Sequence, residues 1–299
     1  MRINPNIAPE ILSDLQQSQV SLNSALQQVS TGKRVNAPSD DPAAAAAMVQ
    51  NTIETGDVDQ YTKNVSTVQT EVQSASSALS TVVTSLTQAL SLGTEGANGT
   101  NNAEDLQALA GQVQGILSSV VSLANTSVGG TYLFGGTGTT TPYTADSSSP
   151  TGYTYNGNND TNSVQVGDQA SVQVNLPGSQ VFSNSSNNVL ASLSSLVTAL
   201  KSGDSSQIAT ATASVDSAIG FAGQQQVFYG TAEQQLTSQE QFLQQDTVSL
   251  ASQENNLIGV DMATAATNLS QAETDNSAAL AAAAKVLPTN LLNYLSTPT

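Results

Sequence analysis

The chain has 299 residues, with 6 Lys+Arg against 23 Asp+Glu for a formal charge of −17, and only 10% of it is charged, where a soluble domain usually carries about 25%. Six basic side chains cannot neutralise a run of phosphates, which excludes a nucleic-acid partner, and they offer no cluster for an anionic membrane surface. His and Cys are both absent, which removes Ser-His-Asp and Cys-His catalysis and every Cys/His metal site, so no enzyme activity, catalytic residue, metal or cofactor is expected. The apolar run Ala278–Ala284 is far short of the roughly 20 residues a membrane span needs. Met1–Asn6 is polar, contains Pro5 and opens no apolar stretch, so no cleavable signal peptide is expected.

In chain order, Ile11, Leu15, Ser18, Leu22, Leu26 and Val29 recur every three or four residues, which predicts an amphipathic helix ending at Gly32. A second helix starts near Pro42, with Ser39 or Asp41 as its cap. Its heptad Val65, Val68, Val72, Ala75, Leu79, Val82, Leu86 and Ala89 is the spacing of a stripe that packs on a partner helix. After a Gly- and Asn-rich turn at 93–102, Leu106, Ala110, Val113, Leu117, Val120 and Ala124 predict a third helix folding back antiparallel. Residues 129–188 are rich in Gly, Thr, Ser and Asn. Alternation from Val164 to Leu176 predicts two short strands turning at Gly167-Asp168, and Tyr153-Thr154-Tyr155 predicts another. With few bulky apolar groups, this insert is expected to be small and mostly exposed.

Helical spacing returns from Val189. Ile208, Val215, Ala222, Tyr229, Leu236, Leu243, Leu250 and Leu257 follow at seven-residue intervals, while Gln225 or Gln226, Gln239 and Asp246 occupy the other stripe position. Polar groups there set register at a cost in stability, and Gly220, Gly223 and Gly230 weaken the helix by up to about 1 kcal/mol each relative to Ala. The expected fold is mainly α: an elongated helical bundle or coiled-coil rod of N- and C-terminal arms, with a small β-rich insert in the middle. The expected division is terminal coiled-coil segments 1–35 and 257–299, a helical domain of 36–128 with 189–256, and the insert 129–188.

Asp40-Asp41 is too sparse for a hard-cation site, which takes six or more oxygens, and reads as helix capping. Gly135-Gly136-Thr137-Gly138 lacks a following GK[ST] and is no phosphate loop. Apolar residues at both ends read as assembly elements: Ile7, Ile11, Leu15, Leu22 and Leu26 at one end, Leu269, Leu291, Leu292, Tyr294 and Leu295 at the other. Both ends, Met1–Val35 and Val260–Thr299, are expected to fray in an isolated monomer.

The stretch Val29-Ser30-Thr31-Gly32-Lys33-Arg34-Val35-Asn36-Ala37-Pro38-Ser39-Asp40-Asp41-Pro42 resembles the N-terminal signature of the bacterial flagellin superfamily. Its two prolines, Tyr132-Leu133-Phe134-Gly135-Gly136, Asp261-Met262-Ala263-Thr264 and Leu291-Leu292-Asn293-Tyr294-Leu295 are similar to the branch that sits at the hook-filament junction. The resemblance implies an extracellular structural component of the flagellum, exported by the flagellar type III route without a cleaved signal, and it places Lys33, Arg34, Asp40 and Asp41 in an assembly region. The implied partners are flagellin, a hook-associated protein on the hook side, further copies of the chain in a ring, and a flagellar export chaperone. A short flagellin forming the filament itself is the alternative, and a secreted adhesin-like coiled coil a more distant one. The low basic content departs from the family pattern.

Overall fold

The structure, a computed structural model, describes the backbone of residues 8–295 and the side chains of 9–285. It is mainly α, as expected. The helices are α1 (Ala8–Thr31), α2 (Pro42–Gly96), α3 (Ala103–Ala124), the short α4 (Gly178–Val181), α5 (Val189–Ser202), α6 (Ser205–Ile258) and α7 (Met262–Leu295). Between α3 and α5 lie three antiparallel strand pairs: β1 (Ser127–Val128) with β2 (Thr131–Tyr132), β3 (Tyr143–Ala145) with β4 (Tyr153–Tyr155), and β5 (Ser163–Gln165) with β6 (Ser171–Gln173). The chain divides into two compact units, one of residues 1–57 with 245–299 and one of 58–244.

In the larger unit the anticipated stripes are the core. Val65 to Ala89 are all buried at their heptad positions, as are Ile208, Val215, Ala222, Tyr229, Leu236 and Leu243. Ala211, Ala218 and Ala232 fill the other α6 stripe, with Gln225 half-buried between Ala218 and Ala232 and Gln239 half-buried one heptad beyond. Gln69 of α2 donates to Glu240 of α6 at 3.0 Å, and Gly93 of α2 lies against Thr212 of α6 and Leu196 of α5. These meetings, low number to high, set α2 and α6 antiparallel. α3 packs on α5 and shares a groove with α2 lined by Ser85, Leu92, Gln112 and Ile116. Asn102 caps α3 by accepting from Asp105 N, while Asp105 reaches back to Asn102 N, the reciprocal pairing of a capping box. By length and composition α3 could cross a bilayer, which qualifies the expectation of no such segment. Its apolar face is instead occupied, with Leu106, Leu109, Val113, Leu117 and Val120 buried. Gly220, Gly223 and Gly230 do not interrupt α6, and a Cβ at any of them would meet open space.

The insert differs from expectation: it carries an aromatic cluster. Phe134 meets Phe182 edge-on with centroids 5.0 Å apart, and Tyr229 of α6 at 6.4 Å; Tyr143 packs on Phe182 and Tyr155. Edge-to-face pairs of this kind add about 0.5–1.5 kcal/mol beyond their buried area. Phe134, Tyr143, Phe182 and Tyr229 are all 2% exposed or less. Gly178 sits where a Cβ would come within 2.9 Å of Phe134 O and Tyr155 Cε2, so only glycine lets the rings close. The Leu176 N–H donates to the Tyr229 hydroxyl at 3.1 Å, and Asn64 of α2 donates to Gln165 O at 2.8 Å. The insert is therefore fastened to both long helices of its unit. Burial pushes the Tyr143 and Tyr229 phenols well above their usual pKa, so both stay neutral through ordinary pH.

Truncating Leu236 or Leu243 to Ala should cost about 2–5 kcal/mol in denaturant unfolding. Tyr229→Phe should cost about 1–3 kcal/mol by leaving the Leu176 N–H unpaired. Phe242, 59% exposed on the same helix, should change stability by under about 0.5 kcal/mol as Phe242→Ala. Equal losses at Phe242 and Leu243 would contradict this core.

Candidate assembly site

The signature stretch and the break between α6 and α7 meet in the smaller unit. α1 ends at Thr31, and Gly32 takes a left-handed φ of 68° while donating to Gln28 O at 3.0 Å. That conformation suits glycine and turns the chain out of the helix. Lys33 then forms an antiparallel bridge with Gly259: Arg34 N donates to Ile258 O at 2.6 Å, and Val260 N to Gly32 O at 3.1 Å. Beside the bridge, Val35, Ala44 and Ile258 form a buried cluster flanked by Met48 and Leu257.

Charged side chains surround this clasp. Lys33 Nζ lies 3.0 Å from Glu254 Oε1, and Arg34 Nη2 lies 3.1 Å from both Asp41 Oδ2 and Leu257 O. The two cations are 46% and 49% exposed, so each ion pair contributes at most about 1 kcal/mol. The backbone bridge and apolar cluster are the stronger fastening. Asp40 Oδ2 accepts from Asn36 N and Ala37 N at 3.0 and 2.9 Å, folding the loop onto itself. Asp41 Oδ1 accepts from Ala44 N at 3.0 Å; of the two candidate caps for α2, Asp41 is the one used. The Ala37 and Asn36 amides lower the Asp40 pKa, and the Ala44 amide, then Arg34, lower that of Asp41. Asp261, bonded to Thr264 and Ala263 N, caps α7 and is lowered likewise. Further along, Asn51 is buried and donates to Leu250 O at 3.1 Å, tying α2 to α6.

α1 and α7 pack against each other from the clasp outward. Among their described side chains the fully buried ones are all alanines: Ala25 on α1, Ala265 and Ala283 on α7. Ile11, Leu15, Leu22 and Leu269 are half-buried, whereas Leu12, Val20, Leu26 and Leu280 remain 45–60% exposed. Ser18 Oγ and Asn276 Oδ1 are enclosed without a hydrogen-bond partner, which weakens the pair further. Of the expected assembly residues, Lys33, Arg34, Asp40 and Asp41 thus come together in the clasp, and Ile11, Leu15, Leu22, Leu26 and Leu269 lie on the paired helices. Ile7 falls outside the described residues, as do the side chains of Leu291, Leu292, Tyr294 and Leu295, whose backbone continues α7. Glu254, Ile258 and Gly259 were not singled out from sequence; the glycine between two long helical patterns was the available signal. Among the described residues, no group of His, Cys, Asp or Glu could hold a metal.

Residues 3–139 match the bacterial flagellin N-terminal helical region, and residues 212–295 the C-terminal helical region; together these take in well over half of the chain. The chain belongs to the bacterial flagellin family. Within that family it is similar to proteins named flagellar hook-associated protein 3: 30% identical to that of Escherichia coli over 55% of this chain and 51% of the relative, and 30% identical to that of Salmonella typhimurium over 64% and 59%. The matches span little more than half the length of these relatives. A solved hook-associated protein-3 from Legionella pneumophila shares the fold, with a TM-score of 0.63 at 15% identity, covering 70% of this chain and 98% of that one.

The lowered pKa values of Asp40 and Asp41 fix a sign. Their contribution to the folded loop is complete above the unfolded carboxylate value of about 3.9 and is lost as pH falls through the lower folded values. The amide resonances of Asn36, Ala37 and Ala44 should therefore shift together in acid, below the ordinary carboxylate range. Asp40→Asn should remove the shift at Asn36 and Ala37 and leave that at Ala44. Amides that stay fixed through that range would show that neither carboxylate holds the loop.

Proposed function

We propose that the chain is a structural adaptor of the bacterial flagellum at the hook-filament junction, linking a hook-associated protein to the flagellin filament. One observation carries the reading: among its described residues the α1–α7 pair fully buries only alanines and leaves Leu12, Val20, Leu26 and Leu280 45–60% exposed. A helix pair this thinly covered is completed by neighbours, and its apolar stripes suit the paired terminal helices of related subunits. The family match and the names of the similar proteins support the flagellar setting. The partners are flagellin, the hook-side protein, further copies of the chain and, before assembly, an export chaperone; the site of action is extracellular.

In this proposal segments 1–35 and 257–299 make the assembly contacts, 36–128 with 189–256 support them, and 129–188 faces outward. Because the insert shares its aromatic cluster with Tyr229, removing Pro142–Gly178 as a block would strip the cover from that cluster. The separable part is the turn between β3 and β4, where Ser147, Ser148 and Pro150 are exposed and, among the described residues, a single hydrogen bond to backbone, from Ser194 Oγ to Pro150 O at 3.0 Å, ties it to α5.

A strain lacking the chain should make hooks without filaments and shed intact flagellin into the medium. A filament subunit, the alternative, would on deletion leave no such flagellin to shed. Replacing residues 147–151 with a Gly/Ser linker should preserve swimming, and removing Leu291–Thr299 should abolish filament growth while the protein is still exported. Limited proteolysis of a verified monomer should cut both ends first; full protection of both would overturn the assembly role.

A further inference from the structure

The sequence holds two Asn-Gly pairs, Asn98-Gly99 and Asn156-Gly157, and the fold treats them oppositely. Asn98 sits in the six-residue loop between α2 and α3, where Asn98, Gly99 and Thr100 are all exposed. Its backbone is tied, with N donating to Glu95 O at 3.1 Å and its O accepting from Asn101 N, but among the described residues its side-chain amide has no hydrogen-bond partner. A Cβ at Gly99 would meet nothing within 4 Å, so the glycine can swing its nitrogen toward the amide. At the second pair, Asn156 Nδ2 is held by Thr144 Oγ1 at 2.7 Å and Asn156 N by Pro142 O at 2.7 Å. Gly157 is wedged against the Tyr155 ring and Gly135 O.

We propose that Asn98 is a site of spontaneous covalent modification, and that the fold shields Asn156 from the same reaction. The Gly99 backbone nitrogen, giving up its proton to solvent, attacks Asn98 Cγ; the Cγ–Nδ2 bond breaks and ammonia leaves, closing a succinimide ring. Water then opens the ring at either carbonyl, giving aspartate or isoaspartate, with no oxidant or reductant involved. Either product adds a negative charge beside Glu95 on a chain that is already acidic. The isoaspartate also lengthens the backbone by one carbon at the carbonyl that accepts from Asn101, whose side chain ties the loop to Glu95 O at 2.6 Å.

The test is peptide mapping by mass spectrometry of the full chain held in mildly alkaline buffer, with isoaspartate scored by its separate elution. In the folded protein the Asn98 peptide should convert several-fold faster than the Asn156 peptide, and in urea the two rates should converge. Gly99→Ala, which fits because Gly99 has open space and no positive φ, should slow conversion at Asn98 and leave Asn156 unchanged. Equal rates in the folded state, faster conversion at Asn156, or an Asn98 peptide unchanged while urea releases both would overturn the proposal.

Discussion

Two backbone hydrogen bonds, Arg34 N to Ile258 O and Val260 N to Gly32 O, join segments more than two hundred residues apart in sequence. The smaller unit is arranged around them. They are the only strand-like pairing described outside the insert and its edge, and they hold both helix breaks together, so that α1 and α7 leave from one point and pack on each other. The nearby groups have subordinate parts. Val35, Ala44 and Ile258 keep water from the bridge, Asp40 folds the loop, and Asp41 starts α2 while accepting Arg34. The exposed ion pairs define orientation more than they add stability.

The larger unit rests on a different constraint, the seven-residue stripe on α6. Its large members, Tyr229, Leu236 and Leu243, alternate with alanine and half-buried glutamine. Tyr229 also faces the insert and offers its oxygen to Leu176 N–H. One side chain thus belongs to the helical core and the aromatic cluster together, which binds the strand pairs firmly despite their being two or three residues long.

The helical stripes were legible because burial in a helix repeats at fixed spacing, and every heptad residue from Val65 to Ala89 is buried. The β5–β6 hairpin and β4 were legible from alternation and turn residues. What escaped were features whose parts are close only in space. Phe134, Tyr143, Phe182 and Tyr229 come from two loops, a short strand and a helix, so no local period announces their cluster. β1 and β2, two residues each, are too short to alternate. In the clasp, the signature residues could be singled out by resemblance, but Ile258 and Glu254 look like ordinary members of α6 until the bridge brings Lys33 and Arg34 beside them. The choice between Ser39 and Asp41 as cap likewise depended on which oxygen the loop aims at Ala44 N.

The pairing of α1 with α7 also has a consequence for the order of folding. These helices sit at opposite ends of the chain, so bringing them together closes a loop containing nearly every other residue, and such closure costs entropy before any contact rewards it. The reward from the described residues is small, because those that are fully buried there are alanines. The α2–α3 turn, the β5–β6 hairpin and the α5–α6 corner at Gly203 close over short distances and bury large side chains. The interior of the chain therefore folds as the template, and the first and last helices dock onto each other last and come apart first.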